Sequence, residues 1–173
     1  MNMKKISFLL TAFAASLLTS LASAPAQSAT SLGIFGDWEA YTERDKGKLV
    51  CYMGSEPTKT RGKYKVRGKT FVLITHRPAE KSTNVVSVQA GYTYKKDSET
   101  EIIIGKTTTK LFVDNRHAYA YDAKADSELV KAMVRGAAMT VKGTSSKGTL
   151  TTDTYSLKGF TAAYKAISAA CKV

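Results

Sequence analysis

Short runs of β-forming residues, broken by glycine and polar clusters about every 8–12 residues, constrain this chain most strongly. They predict strands at Phe35–Thr42, Leu49–Gly54, Thr70–His76, Asn84–Ala90, Glu101–Ile104, Lys110–Val113, His117–Tyr121, Met139–Gly143 and Thr149–Ser156. Helical spacing emerges in only two places. The first is Ser127–Arg135, with Asp126 as N-cap, Leu129, Met133 and Val134 on one face, and Gly136 as the stop. The second is Leu157–Ala170, with Ser156 available as its cap. Many short strands without regular β-α alternation predict a mainly β domain, an antiparallel sandwich or barrel-like sheet with two accessory helices.

The N-terminus carries a different pattern. Lys4 and Lys5 precede the apolar or small run Ile6–Leu21, and Ala22-Ser23-Ala24-Pro25-Ala26 offers small residues for a signal peptidase. Cleavage after Ala26 is expected, because cleavage after Ala24 would leave Pro25 at the disfavoured next position. The run is shorter than the roughly 20 residues a membrane-crossing helix requires. The expectation is an exported chain of one domain, residues 27–173, with Gln27–Thr30 as a polar lead-in. Its location would be periplasmic, or secreted and envelope-associated. Removing residues 1–26 lowers the formal charge from +12 to +10. No second stretch approaches spanning length, so no transmembrane segment is expected in the mature chain.

Cys51 and Cys171 are the only cysteines, and an even count in an exported chain favours pairing. Phe160, Tyr164, Ile167 and Cys171 share one helical face, which would carry Cys171 towards the core. Cys51 sits among strand-forming residues, so a bridge would pin the last helix to an early strand. A redox pair or a metal site finds no support: there is no C-x-x-C, and His76 and His117 are the only histidines. No cofactor motif is present.

From Lys59 to Lys69 every second residue is basic: Lys59, Arg61, Lys63, Lys65, Arg67, Lys69. An extended segment would put all six on one side. Such a row suits an anionic lipid or polysaccharide surface, or an acidic envelope partner. The commoner reading of such a row is an exposed edge strand or loop that uses cations to refuse edge-to-edge pairing. Nucleic acid fits least, because few aromatics beyond Tyr64 interleave with the cations.

Catalytic motifs are absent. Gly62 to Thr70 imitates a phosphate-binding loop with one residue too many, and Phe71-Val72-Leu73-Ile74 continues as a strand where a helix is required. The turn Gly143–Gly148 is rich in small polar residues without an activated serine. An unrecognised hydrolytic site near His76 or Asp153 is the alternative to a binding role, and a chaperone-like or scaffold role is a third. Trp38 is expected in the core.

An ordered series of segments resembles a known family. Phe35-Gly36-Asp37-Trp38 with Tyr41, Val50-Cys51-Tyr52, Thr75-His76-Arg77-Pro78-Ala79-Glu80, Asn84-Val85-Val86-Ser87-Val88 and Ala90-Gly91-Tyr92 lead to the strongest stretch. That stretch is Lys142–Thr149, then Thr152-Asp153-Thr154-Tyr155-Ser156-Leu157 and Gly159-Phe160-Thr161-Ala162-Ala163, closing on Cys171. Across residues 34–173 the chain is similar to the invasion-associated locus B family of bacterial envelope proteins. The resemblance implies an exported envelope protein, linked through the family name to host-cell invasion and virulence; a non-enzymatic role is the leading expectation from the residues. It supplies no catalytic residues to carry over.

Overall fold

A computed structural model describes residues 28–173. The expected export signal and its cleavage site lie outside the described residues.

The described residues form eleven strands and two α-helices. The strands are β1 (Thr30–Phe35), β2 (Trp38–Asp45), β3 (Lys48–Ser55), β4 (Lys59–Gly62), β5 (Phe71–Arg77), β6 (Ser82–Gln89), β7 (Glu99–Ile104), β8 (Thr107–Asp114), β9 (His117–Tyr119), β10 (Ala138–Thr144) and β11 (Leu150–Ser156). Helix α1 (Ala123–Arg135) follows β9, and α2 (Phe160–Cys171) follows β11. All pairings are antiparallel within one sheet, in the order β1-β2-β3-β5-β6-β9-β8-β7-β10-β11-β4. The sheet does not close, which leaves β1 and β4 as its edges.

Alternation along the strands sorts the side chains. Val72, Ile74 and His76 of β5 are buried, whereas Phe71, Leu73 and Thr75 between them are half-exposed. The buried rows of both halves of the sheet join one core with faces of α1 and α2, centred on Trp38, Ile102, Leu111, Met133, Tyr155 and Phe160. Trp38 packs edge-on against Phe160 at 4.9 Å between ring centroids, and its indole N–H donates to the Ser156 carbonyl at 3.0 Å.

Where strand boundaries differ from expectation, local chemistry explains them. The expected strand Phe35–Thr42 spans a hairpin turn at Gly36 and Asp37, where Phe35 pairs with Trp38. Here Gly36 takes φ +59°, and a Cβ on it would lie 2.6 Å from the Lys158 carbonyl oxygen. Gly159, at φ +89°, presses on Phe35 from the other side, so backbone meets backbone where α2 begins. That contact makes Gly159 the N-cap of α2, whose first turn starts at Phe160. Ser156 instead accepts the Lys158 N–H at 3.1 Å.

Helix α1 begins one turn earlier than the spacing predicts. Asp122, not Asp126, caps it, its carboxylate accepting the Ala125 N–H at 2.7 Å. Asp126 is buried and accepts the Val86 N–H at 2.9 Å, tying α1 to β6. Gly136 ends the helix as expected. The lead-in is shorter than expected too, since Thr30 already belongs to β1. Neither β1 nor β4 stands out in the sequence: β1 carries an internal glycine, and every residue of β4 is exposed.

The cysteine expectation matches the structure. Cys51 of β3 is bonded to Cys171 at the end of α2, with Cα atoms 6.0 Å apart and 120 residues between them along the chain. Phe160, Ala163, Ile167 and Cys171 form the buried face of α2. Tyr164 sits at its margin, its hydroxyl donating to Asn84 Oδ1 at 2.7 Å.

Candidate functional site

The basic row does not form one continuous face. Its first four residues, Lys59–Gly62, are β4, an edge strand bonded to β11 through pairs such as Thr60 with Asp153. The chain then leaves the ladder and crosses irregularly from Lys63 to Thr70 before entering β5. Lys59, Arg61, Lys63, Lys65 and Lys69 are exposed.

Arg67 is not. Its guanidinium holds Asp153 through two bonds of 2.6 Å, with both side chains almost fully buried. Its Nε donates to the Ala90 carbonyl at 2.7 Å. The rings of Tyr64 and Tyr92 lie 5.5 and 5.0 Å from the guanidinium carbon. Burial alone would pull the Arg67 pKa down, but the bonds and charge of Asp153 outweigh it and raise it. The expected row of six therefore loses Arg67, whose buried guanidinium is met by a bidentate carboxylate on β11.

This anchor shapes a cleft of about 520 Å³ between the crossing segment and the β10–β11 hairpin tip. Lys63 and Lys65 line one wall, and Lys147 at the hairpin tip joins them. Tyr64 and Tyr92 contribute aromatic surface, while Ser146 and Thr149 contribute hydroxyls. The tip is held in place by backbone bonds from Ser146 N to Thr93 O at 2.7 Å and from Gly148 N to Ser145 O at 2.8 Å. The Tyr92 hydroxyl is 2.7 Å from Thr151 Oγ1. Ammonium groups beside fixed hydroxyls are chemistry for an oxyanion.

Lys147 is the residue that sequence reasoning missed. Its turn was recognisable, but it lies far along the chain from Lys63 and Lys65, which it joins. Lys59, Arg61 and Lys69 lie outside the cleft lining.

The alternative acid–base residues occupy different surroundings. His76 is fully buried, and Nδ1 accepts the Asn84 N–H at 3.1 Å. The proton therefore sits on Nε2, which faces Ser168 Oγ at 3.2 Å. Burial lowers the His76 pKa, which keeps the ring neutral. Its neighbours are a hydroxyl and the Tyr164 ring, with no carboxylate to orient it as a base. Asp153 is occupied by Arg67. His117 bonds Gln89 Oε1 through Nε2 at 3.2 Å. Among the described residues no three His, Cys, Asp or Glu side chains group to hold a metal, and no helix is long and apolar enough to cross a membrane.

Comparison with known proteins places the fold. The crystal structure of invasion associated protein B from Bartonella henselae superposes with a TM-score of 0.58 at 14% identity, over 83% of this chain and 97% of that one. No curated protein matches the sequence. A family model described as "Invasion associated locus B (IalB) protein" matches residues 38–168, a stretch that runs from the buried Trp38 through both walls of the basic cleft into α2. The chain belongs to the invasion associated locus B family.

Proposed function

We propose that the protein acts outside the cytoplasm, after removal of residues 1–26, as an envelope-associated binding domain that holds an anionic component in the basic cleft. The observation that carries this reading is the convergence of Lys63, Lys65 and Lys147 beside the Tyr64 and Tyr92 rings. The formal charge of +10 that remains once Lys4 and Lys5 are removed from the +12 of the whole chain adds long-range attraction to anionic surfaces. A lipid phosphate or an acidic polysaccharide supplies the matching oxyanions, and either is at home at a cell envelope. The link to host-cell invasion comes from the family name.

Binding suits the site better than catalysis. The buried histidine has no carboxylate partner, and the buried aspartate is neutralised by Arg67. Both are committed to holding the fold.

The test is retention on vesicles of phosphatidylglycerol and phosphatidylcholine, with a heparin column for the polysaccharide arm. Replacing Lys63, Lys65 and Lys147 together with Ser should weaken vesicle binding on the order of 100-fold, at about 1 kcal/mol per cation near the surface. Thermal stability should stay unchanged, since all three side chains are outside the core. Unaltered retention on both supports would overturn the proposal. Loss on one support alone identifies the source of the anion.

A further inference from the structure

A second concavity lies on the outer face of the sheet, where β1, β2, β3 and β5 run side by side. It encloses about 500 Å³ and combines two kinds of surface. Ile34, Phe71 and Leu73 are apolar, and Ile34 is 73% exposed. Tyr41 and Tyr52 stack at 5.5 Å between centroids, beside the carboxylates of Asp37, Glu39 and Glu56. The Tyr41 hydroxyl donates to Glu39, fixing that carboxylate next to the ring pair. In a chain with 26 basic and 14 acidic residues, three acids share one groove and none of them makes a salt bridge among the described residues. Carboxylates flanked by tyrosine faces and an aliphatic wall suit a cation that carries an apolar neighbour.

The molecule itself presents that chemistry. Lys65 and Val66 form the tip of the segment crossing from β4 to β5, and Val66 is 90% exposed. An aliphatic side chain so exposed, beside an ammonium group at the rim of the basic cleft, is not buried against any of the described residues. It cannot fold back into its own groove. Tyr64 is held by a 2.9 Å contact between its hydroxyl and Thr60 Oγ1, and Arg67 is held by Asp153, so the tip is fixed from both sides.

We propose that the groove receives the Lys65–Val66 tip of a second copy of this chain. The lysine ammonium meets Glu39 and Glu56, and the valine meets Ile34 and Leu73. The groove borders the start of β4, through Glu56 and Thr58, and the tip lies beyond its end. A twofold axis beside β4 would exchange two tips for two grooves, whereas a one-way contact would build chains. The overall positive charge opposes association at long range, so the contact is weak and depends on local complementarity. This proposal does not rest on the anion-binding reading, although both use the crossing segment.

Sedimentation velocity of the purified protein from low-micromolar to millimolar concentration tests it. The wild type should associate reversibly. Glu39→Lys alone and Lys65→Glu alone should each weaken association by at least about tenfold, through like-charge contact. Mixing the two variants should restore it, since each supplies what the other lost. Glu39→Lys should leave vesicle retention undiminished, which separates failure here from failure of the cleft. A plateau at twice the monomer mass, or growth beyond it, supports the proposal provided the mixed variants recover. A monomer at every concentration would overturn it. So would association that ignores both substitutions, or a groove that instead captures a lysine-rich peptide without competition from the wild-type protein.

Discussion

Two long-range anchors hold this fold, and they work by different physics. The Cys51–Cys171 bond ties α2 to β3, while Arg67 and Asp153 tie the crossing segment to β11. The disulfide is covalent and acts mainly on the unfolded chain, by removing the entropy of a 120-residue loop. The ion pair leaves the unfolded chain free. It decides instead which path the native chain takes between β4 and β5. Stability and shape therefore have separate sources. The disulfide constrains the unfolded chain, and the ion pair carries the cleft.

The largest expected effect comes from removing the disulfide. Cys51→Ala with Cys171→Ala should cost about 4–5 kcal/mol in denaturant unfolding, on the chain-entropy scale for a loop of that length. The loss should appear as a lower midpoint while the cleft keeps its affinity for anionic vesicles. Impaired vesicle binding in the folded variant would mean the two halves are not separable.

Breaking the ion pair should cost nearly as much, for a different reason. Asp153→Ala strands a buried guanidinium and should destabilise by about 3–5 kcal/mol. Arg67→Met with Asp153→Leu should recover much of that, because no charge is then left unpaired. Vesicle binding should remain weakened in the recovered protein, since Lys63 and Lys65 lose the anchor that places them opposite Lys147. Full binding in the stable double variant would show that the path of the crossing segment does not depend on Arg67.

The smallest effect concerns pH and belongs to the disulfide half, where His76 pairs with Cys51 across β3 and β5. In the unfolded chain His76 takes up a proton near its ordinary value of about 6.5. The folded chain resists until lower pH, because burial holds the ring neutral. Stability should therefore fall as pH drops below about 6.5. Asp126 pulls the other way: burial raises its pKa, which favours the protonated, folded form on the acid side of its titration. The Asn84 N–H bonded to Nδ1 and the Ser168 hydroxyl are the polar groups facing the ring. His76→Gln should flatten the pH dependence of the melting temperature between pH 5 and 7, a window set by the ordinary histidine value. An unchanged slope would assign the dependence to the carboxylates.

Much of the architecture was legible from residue order. The β-forming runs Thr70–His76, Met139–Gly143 and Thr149–Ser156 announced strands because glycine and polar clusters bound each of them. The face carrying Phe160, Ile167 and Cys171, and the stop at Gly136, announced the helices for similarly local reasons. Edge strands were harder to read. All four residues of β4 are exposed, so no hydrophobic row marks it.

What local chemistry left open was decided by partners far along the chain. Six alternating cations looked equivalent, and only the fold distinguishes Arg67, whose carboxylate partner is 86 residues away. Asp126 was the expected cap of α1, but the structure gives that role to Asp122 and engages Asp126 with the Val86 N–H on β6. Lys147 joined the cleft because Thr93 holds its hairpin tip. The sequence by itself determined the mainly β class, the two helices and the cysteine pair, since each follows from local periodicity or from residue count. Only the tertiary structure decided which charges face inward. Burying a charge is stable only where a specific partner meets it, and that meeting is a property of the assembled fold.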